Sequence, residues 1–144
     1  AVSVNLSGRQ FHHQNLVEKV EAALRLANLD PQWLDLEITE TYAMQDADFT
    51  IATLKELKRM GVHISLDDFG TGYSSLSYLT KLPLSQLKID QSFVRNIGIN
   101  DSDSIIIKTI IGMSQSLGFE VVAEGVESQH QYDFLEALEF EELL

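Results

Sequence analysis

Five short stretches of the chain alternate apolar and polar side chains, and each is followed by a segment with helical spacing of its apolar residues. The alternating stretches are Ala1–Leu6, Trp33–Thr39, His63–Leu66, Gln86–Asp90 and Phe119–Gly125. Helices are expected over His12–Ala27, Asp46–Met60, Ser74–Leu79, Ser102–Leu117 and Ser128–Leu138, with Asp101 or Ser102 capping the fourth. Pro31, Gly61, Pro83 and Gly118 punctuate the connections. Strand and helix in regular succession, joined by short links, predict an α/β fold built on a parallel sheet.

The parity of these strands narrows the architecture. One face carries Val2/Val4/Leu6, Leu34/Leu36/Ile38, Ile64/Leu66, Leu87/Ile89 and Val121/Ala123, the positions that helices would cover. The other carries Ser3/Asn5, Asp35/Glu37/Thr39, His63/Ser65/Asp67, Gln86/Lys88/Asp90 and Val122/Glu124. A doubly wound sheet is covered by helices on both faces and needs both to be apolar. One apolar and one polar face fits a TIM-type (β/α) barrel, with helices outside and polar side chains within. The chain would supply about five βα units of such a barrel, which makes it incomplete.

Catalytic groups of these barrels sit at the C-terminal ends of the strands. Asn5, Glu37, Asp67, Lys88 and Glu124 all occupy such ends with one parity. Asp67 and Asp68 are adjacent carboxylates before a turn containing Gly70 and Gly72, and two neighbouring negative charges are costly without compensation. Carboxylates and an amide carbonyl are hard oxygen donors, suited to Mg²⁺, Mn²⁺ or Ca²⁺. Two such ions sharing a bridging carboxylate clamp a phosphoryl oxygen and generate a nucleophilic hydroxide. Lys88, among acids, could orient water, offset phosphate charge or assist proton transfer, and equally could pair with Glu124 or Asp90.

Other chemistries find little support. The chain of 144 residues has a formal charge of −12, from 22 acidic and 10 basic side chains, which opposes direct binding to a DNA backbone. It contains no cysteine, hence no disulfide framework and no thiolate metal site, in keeping with a reducing compartment. No apolar run approaches the ~20 residues of a membrane span. His12, His13, His63 and His130 lack zinc-protease spacing, and Gly70-x-Gly72 lacks the third glycine of a dinucleotide fingerprint.

Several segments together closely resemble the EAL-domain family. They are Val4-Asn5-Leu6-Ser7, Leu36-Glu37-Ile38-Thr39-Glu40, the loop from Asp67 to Leu76, Leu87-Lys88-Ile89-Asp90-Gln91-Ser92-Phe93-Val94 and Val121 to Glu127. The resemblance implies a cyclic di-GMP phosphodiesterase that linearises the nucleotide with Mg²⁺ or Mn²⁺, Ca²⁺ being inhibitory. It implies metal ligation by Asn5, Glu37, Asp67, Asp68 and Glu124, with Asp67 bridging, and a Lys88 that holds or activates the attacking water. It further implies that Glu40 braces the loop containing Gly70, Thr71 and Gly72, that Glu127 is a further rim acid, and that Phe69–Ser75 lies at a homodimer interface.

Two departures from the family pattern stand out. The Glu-Ala-Leu strand for which the family is named should precede Ala1, and a glutamine-bearing strand should follow Leu144. Residues 1–144 are therefore expected to form one partial EAL domain, not fully active alone, within a cytoplasmic segment of a larger protein bearing sensory or GGDEF domains. A catalytically inactive EAL module that senses the nucleotide or a protein partner is the alternative, and an unrelated metal-dependent barrel lyase or phosphatase is more distant.

Overall fold

The computed structural model describes residues 2–6, 15–69 and 76–143. Five parallel strands are joined in the order β1 (Val2–Asn5), β2 (Leu34–Thr39), β3 (His63–Phe69), β4 (Gln86–Ile89) and β5 (Glu120–Ala123). Sequential parallel strands require crossovers of one hand, so an order that never reverses places every connecting helix on the same face. Helices thus cover one side of the sheet and leave the other to its polar side chains, as in the TIM-type α/β fold. Among the described residues the strands form an arc whose edges are β1 and β5.

The register preserves the parity read from sequence. Val4, Leu36 and Ile64 are aligned, as are Ile38, Leu66, Leu87 and Val121, while Asn5, Glu37, Ser65, Gln86 and Glu120 form a parallel polar row. On the apolar side Leu36, Ile38, Ile64, Leu66, Leu87 and Ile89 are buried. They pack in one core with Leu16, Val20 and Leu24 of α1 (Leu16–Ala27), Leu54 and Leu57 of α3 (Ala47–Arg59), Leu79 of α4 (Leu76–Lys81), and Ile107, Ile110 and Ile111 of α6 (Asp101–Leu117). Each such side chain contributes about 1.5–3 kcal/mol on leaving water. The edge strand differs: Val2 and Val4 remain 52% and 42% exposed, so the expected helix cover over β1 is only partial.

Local boundaries depart from the sequence reading in physically instructive ways. β3 runs to Phe69 rather than Leu66, because its pairing with β4 continues past the two aspartates. Two helices were not expected. One is α2 (Glu40–Gln45), separated from α3 by the non-helical backbone of Asp46 at φ −138°, ψ 78°; the other is α5 (Gln91–Arg95), which Asp90 caps by accepting from the Ser92 N–H. Trp33 closes a short 3₁₀ turn and β2 begins at Leu34. The N-cap of α6 is Asn100, whose side chain accepts from the Ser102 N–H, leaving Asp101 and Asp103 in the first turn where the helix dipole favours them. The last helix, α7, spans Gln129–Leu143. Positions 12–14 and 74–75 of the expected helices lie outside the described residues. No helix among the described residues is long and apolar enough to cross a membrane.

Candidate active site

The site begins with an irregularity in β3. Leu66 pairs with Leu87 and Phe69 with Ile89, so three residue steps on β3 match two on β4. The extra residue is a β-bulge, and Asp68 takes the left-handed conformation at φ +55° that this demands. Asp is among the few non-glycine residues that adopt it at modest cost. In a regular strand Asp67 and Asp68 would face opposite sides of the sheet. Here Leu66 and Phe69 are both buried toward the helices, and the two carboxylates between them project together on the polar side. The Asp68 N–H donates to Asp67 Oδ1 at 3.0 Å, fixing the first carboxylate against the bulge.

Glu124 completes the cluster. Its N–H donates to the Ile89 carbonyl at 3.3 Å, continuing the β4–β5 pairing one residue beyond β5. Gly125 follows at φ +76° and lets the chain turn away; a Cβ there would lie 2.9 Å from that of Gln91. One carboxylate oxygen from each of Asp67, Asp68 and Glu124 lies within 4.8 Å of the others. The crowding has an electrostatic signature. Burial, the Asp67 charge and a hydrogen bond to Asp67 push the Glu124 carboxyl up to about 7, against the opposing pull of Lys88. Asp68 is also raised, by burial, by Asp67 and by Asp90, with which it shares a hydrogen bond.

Lys88 and Glu37 lie on the next part of the polar face. Lys88 Nζ forms an ion pair with Glu37 Oε1, and both side chains are largely buried. Burial acts to lower the Lys88 pKa, but the hydrogen bond and charge of Glu37, with Asp67 and Asp35 behind them, raise it overall, so the amine is a cation at neutral pH. Lys88 therefore pairs with Glu37 in this structure, neither with Glu124 nor with Asp90. Asn5 stands beside Glu37 in register on the exposed edge strand. Glu40 is 1% exposed at the start of α2.

The structure thus gathers Asp67, Asp68 and Glu124, links Glu37 to them through Lys88, and sets Asn5 next to Glu37. Glu127 is exposed, and its N–H donates to Gln131 Oε1 at 2.8 Å at the foot of α7, apart from the carboxylate cluster. Gly70, Thr71 and Gly72 lie outside the described residues. Asp90, which the sequence reading placed on the polar face but not among the site residues, caps α5 and also meets Asp68, a contact that depends on the β3–β4 register.

The donor set fits a divalent cation. Three carboxylate groups face one another at ligating separations, and burial together with the neighbouring Asp67 charge raises the Glu124 pKa to about 7. Hard oxygen ligands of this kind select Mg²⁺, Mn²⁺ or Ca²⁺.

Comparison with known proteins places this geometry in context. The EAL domain family model matches residues 1–143. The bifunctional diguanylate cyclase/cyclic di-GMP phosphodiesterase MucR of Pseudomonas aeruginosa is 47% identical over 137 residues, which is 95% of this chain and 20% of MucR. The structure of the MucR phosphodiesterase in complex with cyclic di-GMP superposes with a TM-score of 0.91 at 48% identity, covering 94% of this chain and 55% of that one. A manganese and cyclic di-GMP complex of Klebsiella pneumoniae BlrP1 gives 0.84 at 34% identity, covering 94% of this chain and 35% of that one. The chain spans about a fifth of the length of the curated relatives it matches.

Proposed function

The chain belongs to the EAL domain family, and from that premise we propose that it is part of a metal-dependent phosphodiesterase that hydrolyses cyclic di-GMP to linear pGpG. The observation that carries the reading is the convergence of the Asp67, Asp68 and Glu124 oxygens within 4.8 Å beside a buried lysine. Nucleotide complexes of the relatives MucR and BlrP1 support cyclic di-GMP as the substrate.

In this reading Asn5, Glu37, Asp67, Asp68 and Glu124 would hold Mg²⁺ or Mn²⁺. The ions supply positive charge that polarises a phosphoryl oxygen and makes bound water acidic. Glu124 would serve as a ligand in its carboxylate form. Lys88 stays cationic and positions the attacking water against the phosphodiester. Water adds across one P–O bond: its oxygen stays on phosphorus and its proton goes to the leaving oxygen, leaving a phosphate on one guanosine and a free hydroxyl on the other. Glu40 braces the loop that carries Gly70, Thr71 and Gly72, and Glu127 belongs to the outer rim. Residues 1–144 form one EAL domain in part, within a cytoplasmic protein that dimerises through Phe69–Ser75. Titrating cyclic di-GMP into the intact protein with and without Mn²⁺, and assaying for linear product, tests the proposal. Metal-dependent linearisation is expected; nucleotide binding without turnover in either condition contradicts the enzymatic reading and favours a sensor.

A further inference from the structure

Thr39 ends β2 on the polar face, two residues beyond Glu37 and directly in register with Asp67. It is also the N-cap of α2, with the extended backbone (φ −78°, ψ 151°) from which a threonine ordinarily accepts a hydrogen bond from the first turn. It makes no such bond. Its Oγ1 is nevertheless buried, with no hydrogen-bond partner among the described residues. A buried hydroxyl without a partner forfeits the hydrogen bonds that water would give it. Such a cost in a cap residue, at the rim of a cation site, calls for a partner that this state of the site does not provide.

The register identifies one. Neighbouring strands lie about 4.8 Å apart, so side chains of register partners on one face are within reach of a hydrogen bond by rotation about χ1. Asp67 Oδ1 accepts from the Asp68 N–H, and a carboxylate has further lone pairs with which to accept from a hydroxyl on the neighbouring strand. We infer that Thr39 is a positioning residue for Asp67: its hydroxyl donates to the Asp67 carboxylate once that carboxylate holds a metal ion. Ligating carboxylates are generally held in this way by outer hydrogen bonds, and losing one typically weakens metal affinity 10–100-fold. The inference rests on the reading of Asp67 as a metal ligand.

The test is a calorimetric Mn²⁺ titration of the intact protein and its Thr39→Val and Thr39→Ser variants, beside thermal unfolding in the metal-free state. Valine keeps the shape and removes the hydroxyl, so Thr39→Val should bind Mn²⁺ about 10-fold more weakly. Its metal-free melting temperature should be unchanged or higher, since an orphaned hydroxyl has gone. Thr39→Ser should bind within about threefold of the parent, because its hydroxyl remains. Parent affinity in Thr39→Val overturns the inference while leaving the metal site intact. Equal weakening in both variants, or a parent that takes up no Mn²⁺, also overturns it; the latter removes the metal reading as well.

Discussion

Lys88 on β4 and Glu37 on β2 form a buried ion pair across β3, the strand that separates theirs. Strands two apart in a sheet are about 10 Å from each other, and in a flat sheet their side chains project in parallel. The two tips meet over β3 on the polar face, the side that lines the interior of a TIM-type barrel. The contact therefore reports the fold and the site at once. It also sets up a competition, since Glu37 is the partner of Lys88 in this structure and the expected ligand of a metal ion.

That competition makes an unusual prediction for Lys88→Met. Removing the amine frees Glu37 and removes a positive charge from the neighbourhood of the cation. Mn²⁺ affinity, measured by calorimetry, should rise several-fold while turnover of cyclic di-GMP falls by about 10² or more. A variant that loses affinity and activity together would point instead to a structural role for the pair.

The bulge at Asp68 can be probed through its backbone. Asp68→Ala and Asp68→Gly both delete the carboxylate, but only glycine is at ease at φ +55°. Asp68→Gly should be more stable than Asp68→Ala by about 1 kcal/mol in chemical denaturation. Equal stability, or the reverse order, would mean that the left-handed conformation is not maintained.

Glu124 predicts a pH dependence. Its folded-state pKa is raised to about 7 from an ordinary value of 4.5, so the native state binds the extra proton between these limits. Its contribution to stability is fully present below pH 4.5 and is lost as pH rises through about 7. The metal-free protein should accordingly lose melting temperature over that interval relative to Glu124→Gln, which cannot ionise. Thermal scans of the two proteins between those pH values check it; parallel profiles would contradict it.

The core gives a control. Leu87 is fully buried between strands and helices, whereas Val2 on the edge strand is half exposed. Leu87→Ala should cost about 2–5 kcal/mol by urea denaturation, and Val2→Ala under about 0.5 kcal/mol.

Much of this arrangement was legible in the sequence, and the rest was hidden for definite reasons. A period of two assigns Asn5, Glu37, Lys88 and Glu124 to one face from local information alone. The same rule sends Asp67 and Asp68 to opposite faces. Their joint projection depends on one extra residue in β3 relative to β4, which is a long-range property. Asp90 could be placed on the polar face from its parity, but its contact with Asp68 depends on the β3–β4 register, which is equally long-range. Helix α2 escaped notice because Glu40–Gln45 is too short to display a period and Asp46 breaks it from α3.

The account rests on Asp67, Asp68 and Glu124 acting as one cation-binding group. Its most direct test is Mn²⁺ binding to the intact protein and to Asp67→Asn, followed by the electron paramagnetic resonance of free Mn²⁺. Uptake by the parent and its loss in Asp67→Asn, with folding preserved by circular dichroism, is the predicted result. Undiminished uptake by Asp67→Asn would contradict it.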